Sequence, residues 1–223
     1  MEIRFMVRSL AAVAVSAALA APALAADTVR LDSYTYGGPS TVSVGIPSYS
    51  GGAGQFSGVL NGNAFKTFCV EIGQVFSFGT TYNNYSVVAG ATAWGASKAT
   101  ALNQLMSYAA SNLLPSSQDN SAALQSAVWE IVNETGTSYG FTTGSFKASS
   151  GTASTQAALT ALDGIWATLG TQTVTHYVDQ LHSPTNQDFL VMAPVPEPES
   201  YAMLLAGLGI VGAVARRRRS AEA

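Results

Sequence analysis

Ser121-Ala122-Ala123-Leu124-Gln125-Ser126-Ala127-Val128-Trp129-Glu130-Ile131-Val132-Asn133 is the run whose periodicity decides the fold. At about 100° per residue, Ala122, Val128, Trp129 and Val132 lie within about 60° of Gln125, and Leu124 and Ile131 extend the apolar arc. Ser126, Glu130, Asn133 and Glu134 gather on the remaining side. The run is therefore an amphipathic helix with a carboxamide in the middle of its apolar face. Such a face must be laid against another layer of structure. A buried carboxamide without partners costs about 1–3 kcal/mol, so Gln125 is either hydrogen-bonded or chemically altered.

Working outward, the neighbours are helical too. From Ala96 to Leu114, the residues Leu102, Leu105, Met106, Ala109 and Leu113 recur at helical spacing, and Pro115 ends the run. Asp119 to Ser121 are candidate caps for the central helix. A third helix is predicted from Thr155 to Leu169, using Leu159, Leu162, Ile165, Trp166 and Leu169, with Gly170 closing it. Outside this helical block the pattern changes to strands. Residues 27–63 alternate over short pieces such as Thr41-Val42-Ser43-Val44, and Gly37-Gly38-Pro39, Gly51-Gly52 and Asn61-Gly62-Asn63 punctuate them as turns. Further strands are predicted over Phe65–Val75, Tyr82–Val88, Val174–Val178 and Phe189–Met192, with Asn83-Asn84 suiting a turn. Strands, a helical insertion, then strands predict an α+β fold: an antiparallel β-sandwich or barrel with helices to one side.

The chain has 223 residues, 48% of them hydrophobic and only 10% charged. Between Asp27 and Val195 there are four basic residues (Arg30, Lys66, Lys98, Lys147) against nine acids, so no basic patch exists to neutralise phosphates and nucleic acid is not an expected partner. His176 and His182 lack Cys or acidic residues at ligand spacing, and neither a metal nor a cofactor is expected. No P-loop string occurs.

Both ends carry export signals. Arg4 and Arg8 precede an apolar stretch from Leu10 to about Leu19, and Ala23-Leu24-Ala25 is a small-x-small cleavage site for signal peptidase. The expected organisation is a signal peptide over 1–25, a globular domain over 26–192 and a C-terminal segment over 193–223. In that last segment Pro196-Glu197-Pro198 forms a rigid extended spacer. The uncharged run Tyr201–Ala215 follows, then Arg216, Arg217, Arg218 and Arg219. As a helix the run would be about 22 Å long, shorter than a hydrocarbon core of about 30 Å. The arginines would hold its C-terminal end in the cytoplasm.

This order of elements resembles the PEP-CTERM sorting signal of proteins exported by Gram-negative bacteria that make exopolysaccharide. The resemblance implies handling by a membrane transpeptidase-like exosortase. It also implies a helix held in the inner membrane during sorting, and a final place on the cell surface or in the extracellular matrix.

Export leads through a disulfide-permissive compartment, yet Cys69 is the only cysteine. In Phe65-Lys66-Thr67-Phe68-Cys69-Val70-Glu71-Ile72, strand alternation sets Phe68, Val70 and Ile72 on one face and Cys69 with Phe65, Thr67 and Glu71 on the other. If the helical insertion covers that second face, the lone thiol and the lone buried carboxamide can meet. Attack of sulfur on the Gln125 carbonyl with loss of ammonia would give an internal thioester, an acyl group that amines or hydroxyls can open.

Phe68-Cys69-Val70-Glu71 and Leu124-Gln125-Ser126-Ala127-Val128-Trp129 resemble the two signatures of the bacterial thioester domains of surface adhesins. Leu124 stands where that family often has threonine. The resemblance implies a Cys69–Gln125 cross-link, with Phe68, Val70, Glu71, Val128 and Trp129 as its motif neighbours. It also implies a protein that is not an enzyme but a single-turnover acyl donor, coupling to a polysaccharide or surface-protein target in a biofilm matrix.

Two other readings compete. One is a non-covalent matrix or carbohydrate-binding module with a free buried cysteine, using exposed aromatics such as Tyr34, Tyr36 and Trp94. The other is a secreted cysteine-dependent hydrolase pairing Cys69 with a histidine. On the residues alone, Cys69 also reads as an inert small hydrophobe, and Glu71 as facing solvent.

Overall fold

The computed structural model describes residues 26–136, 138–194 and 203–211. The signal-peptide residues, Pro196, Glu197, Pro198 and Arg216 to Arg219 lie outside them. Residues 203–211 are helical, within the predicted Tyr201–Ala215 run, and among the described residues no helix is long and apolar enough to cross a membrane.

Strands β1 (Asp27–Tyr34), β2 (Ser40–Val44), β3 (Tyr49–Ala53), β4 (Phe56–Leu60), β5 (Asn63–Thr67) and β6 (Thr81–Val88) come first. Helices α1 (Gly90–Trp94), α2 (Ala96–Ser111) and α3 (Gln118–Asn133) follow. Then come a two-residue strand β7 (Ala148–Ser149), helix α4 (Ala153–Asp163) with two short 3-10 turns, and strands β8 (His176–His182) and β9 (Phe189–Pro194). The main sheet has six antiparallel strands in the order β5-β4-β1-β6-β8-β9, and β3-β2-β7 form a smaller one.

The large sheet curls until its two edges meet. Past the end of β5, Leu190 N–H donates to Phe68 O at 3.0 Å and Val70 N–H donates to Asp188 O at 3.0 Å, pairing Cys69 with Phe189 across the seam. The result is a nearly closed barrel, which satisfies edge groups that would otherwise be open to further pairing. Along β1 and β2 apolar and polar residues alternate as a half-buried sheet requires: Val29, Leu31, Val42 and Val44 are buried while Arg30, Asp32, Thr41 and Ser43 are exposed. Opposite Leu31, a register irregularity presses the Arg30 carbonyl against Gly58, leaving no room for a Cβ there.

The α+β expectation agrees with this architecture, with local corrections. Strand character ends at Thr67 rather than continuing to Val75, because the chain turns away after the seam. Asn83 and Asn84 lie inside β6, not in a turn. Helix α3 begins three residues earlier than predicted. Its cap is Ser117, whose Oγ accepts from Asn120 N–H at 3.2 Å. Asp119 instead binds outward, accepting from Ser40 Oγ at 2.8 Å and Thr155 Oγ1 at 2.6 Å, and so ties β2, α3 and α4 together. The third helix stops at Asp163 and continues as 3-10 turns.

The largest correction concerns α3 itself. Its supposed polar side is buried as deeply as its apolar one: Ser126 and Glu130 have no exposure and Glu134 only 2%. The segment after Asn133 folds back over that side, held by the two carboxylates. Gly140 N–H donates to Glu130 Oε1 at 2.8 Å. Glu134 accepts from Gly136 N–H at 2.9 Å, Ser145 N–H at 2.7 Å, Ser145 Oγ at 2.8 Å and Phe146 N–H at 3.1 Å. Ala122, Ala123 and Ala127, all almost wholly buried, keep the helix surface flat enough for close packing on the β2–β3 layer and on α4.

Candidate functional site

The barrel seam and the middle of α3 meet at Cys69 and Gln125. Gln125 Oε1 accepts from Cys69 N–H at 2.9 Å, and Gln125 Nε2 donates to Cys69 O at 2.8 Å. The carboxamide thus spans the peptide groups on either side of the cysteine Cα. Both residues are buried, Cys69 with 7% exposure and Gln125 with 1%, and the thiol is free. The two signatures drawn from the sequence are therefore adjacent in space. Phe68 and Val70 flank the cysteine, fully buried, and form the seam with their backbones. Val128 is core.

Cys69, Gln125, Glu71 and Trp129 line one cleft of about 200 Å³, with Tyr34, Tyr49, Phe56 and Phe76 as its aromatic wall and Gln74 and Gln187 as further polar members. The wall is built by packed rings. Phe56 lies 4.8 Å from Tyr34 and 5.1 Å from Phe76, and Tyr49 meets Trp129 edge-on at 5.5 Å. Backbone-directed side chains hold the other walls. Gln187 Nε2 donates to Glu71 O at 2.9 Å, Tyr85 Oη donates to Gln187 O at 2.6 Å, and Tyr49 Oη donates to Gly52 O at 2.8 Å.

Electrostatics in the cleft disfavour charge. Burial pushes the Cys69 thiol up, and the neighbouring Glu71 carboxylate adds to the effect, so the sulfur is held protonated. Glu71 is itself raised above the usual carboxylate range, first by desolvation and then by Asp188, against a backbone hydrogen bond at Asp188 and the nearby His182. Burial also raises the Tyr34 phenol to about 12.

The placement corrects three expectations. Glu71 does not simply face solvent: it is half-buried in the cleft wall, with Oε2 buried and unpartnered. Tyr34, Tyr36 and Trp94 are half-buried rather than exposed, and Tyr34 belongs to the same cleft as the cysteine. Neither histidine lines the cleft; His182 Nδ1 pairs instead with the buried Asp188 carboxylate at 2.8 Å. Sequence reasoning missed Gln74 and Gln187, which carry no pattern, and Tyr49 and Phe76, whose roles arise only from packing.

Comparison with known proteins returned one finding. Residues 194–219 match the PEP-CTERM protein-sorting motif. The chain thus carries the signal of an exported protein that an exosortase processes at the membrane and sorts to the cell surface. No curated protein and no solved structure matches the chain.

Proposed function

We propose that this exported, exosortase-sorted protein attaches covalently to a polysaccharide or surface-protein target through a thioester between Cys69 and Gln125. The observation that carries the reading is the double hydrogen bond of the Gln125 carboxamide to the Cys69 backbone. The Cys69 N–H polarises the carbonyl that the sulfur attacks and would stabilise the oxyanion formed on it. The Cys69 carbonyl fixes the Nε2 amino group, which is the leaving group.

The step balances without a co-reactant. The S–Cδ bond forms, the Cδ–Nε2 bond breaks, and the thiol proton leaves with the nitrogen as ammonia. Glu71, in the same cleft and raised above the usual carboxylate range by desolvation, is suited to carry that proton from sulfur to nitrogen. A target nucleophile then takes the acyl group and returns its proton to sulfur. The protein is spent after one event, so it is an acyl donor rather than an enzyme.

Intact mass of the purified chain, beside Cys69→Ala, tests this. The expected wild-type mass is short by one ammonia, and methylamine adds to it but not to the variant. A full wild-type mass with Cys69 open to alkylation after unfolding rejects the thioester. The protein would then be a non-covalent surface module with a buried free cysteine.

A further inference from the structure

Among the described residues four buried side-chain polar atoms lack any partner, and three of them belong to this one cleft: Glu71 Oε2, Gln74 Oε1 and Trp129 Nε1. Native proteins leave few such atoms, so a group of three around one cavity marks something the protein does not itself supply. The set has a definite chemistry: two acceptors and one donor. An ammonium group would satisfy the acceptors and leave the indole N–H unpaired. A phosphate or carboxylate would satisfy the indole and leave the two acceptors unpaired. Adjacent hydroxyl groups satisfy all three, because each hydroxyl both donates and accepts. Trp129 is 3% exposed and anchored in α3, so its N–H is a fixed donor. Glu71 and Gln74 are half-buried and line the same cleft, with Oε2 of the one and Oε1 of the other buried and unpartnered.

The remaining wall is aromatic, from Tyr34, Tyr49, Phe56 and Phe76, and suits the C–H faces of a ring. A volume of about 200 Å³ is below that of a drug-sized site and suits a single ring. We infer that the cleft beside Cys69 and Gln125 recognises the hydroxyl groups of a neutral sugar, through Glu71, Gln74 and Trp129. This deepens the thioester reading by naming the nucleophile as a sugar hydroxyl. The hydroxyl oxygen would bond to Gln125 Cδ as the S–C bond breaks, giving an ester, while the hydroxyl proton passes to sulfur. Recognition itself does not rest on the thioester.

The full chain carrying Cys69→Ala, which cannot form the bond, is titrated with glucose, galactose and mannose, and with ethylamine as a control, under saturation-transfer NMR. Saturable binding of at least one hexose is expected, weakened about tenfold by Gln74→Ala and by Trp129→Phe. Gln74 sits on the half-buried rim, so its variant carries the test even where Trp129→Phe does not fold. The proposal is overturned if none of the three sugars binds saturably, if ethylamine binds in preference, or if Gln74→Ala leaves hexose binding unchanged. Intact mass of the wild-type chain separates the two readings. Hexose binding with a full mass keeps recognition and removes the covalent step; a mass short by ammonia without hexose binding does the reverse.

Discussion

Gln125 grips Cys69 by its backbone and not by its sulfur: the carboxamide takes the cysteine N–H at 2.9 Å and gives its own N–H to the cysteine carbonyl at 2.8 Å. This sets an asymmetry between two truncations. Cys69→Ala keeps both hydrogen bonds and removes one sulfur atom from a tight site. Gln125→Ala leaves a buried N–H and a buried C=O unpaired at the barrel seam and opens a cavity in α3. Before any cross-link is considered, Cys69→Ala is expected to cost about 1 kcal/mol and Gln125→Ala about 2–4 kcal/mol. Urea unfolding of the two variants, each compared with wild type pre-treated with methylamine, checks this. Equal losses would mean the grip contributes little.

A second prediction concerns acid. Glu134 accepts from Gly136 N–H, from Ser145 N–H and Oγ and from Phe146 N–H, and these hold its carboxyl down to about 2, the Gly136 N–H foremost. An acid whose folded value lies below its unfolded value stabilises the fold above the unfolded value near 4.5, and that contribution is lost as pH falls toward 2. Glu134→Gln should remove this loss over pH 4.5 to 2, while lowering stability at pH 7 because an amide nitrogen then faces backbone donors. Chemical denaturation at several pH values reads both effects.

The same cradle makes a sharper prediction at Gly144. Its φ of +77° is a left-handed value, and a Cβ there would strike the Glu134 carboxylate. Gly144→Ala therefore suffers backbone strain and a clash together, and about 1–3 kcal/mol of destabilisation is expected. Combining it with Glu134→Ala should recover the clash portion and leave the strain. Simple additivity of the two changes in a double-mutant cycle would show that they do not meet.

How much of this was legible depended on contrast within short windows. Gln125 stood out because a carboxamide interrupted an apolar arc, and Cys69 because a lone thiol in an exported chain lacks a partner by count alone. Their adjacency was an expectation conditional on the helical insertion covering one strand face, and the structure supplies the contact, at the barrel seam beyond the end of β5. The burial of Glu130 and Glu134 was not legible, since two carboxylates one helical turn apart on the side away from the core read as a solvated face. Only the fold-back of residues 138–147, whose backbone N–H groups need acceptors, turns them inward. The cleft was hidden for a related reason: Gln74 and Gln187 lie on segments without periodicity, and sequence alternation could not show that strand order ends at Thr67.

Glu130 supplies the last prediction, with the opposite sign to Glu134 one turn away. It has no exposure, a single hydrogen bond from Gly140 N–H and an unpartnered Oε2, and it is pushed up to about 8. Desolvation is the main cause; the Gly140 N–H opposes it, and the Glu134 and Asp163 carboxylates reinforce it. Below its unfolded value near 4.5 the group is protonated in both states and costs nothing. Between 4.5 and about 8 the unfolded chain releases a proton that the folded chain keeps, so stability falls as pH rises through that window and levels off above it. Glu130→Gln, which keeps the shape and the acceptor for Gly140 without the charge, should flatten that slope. It should match wild type near pH 4.5 and exceed it near pH 8. The measurement is the difference in unfolding midpoint between variant and wild type across that range; a difference independent of pH would place the proton elsewhere.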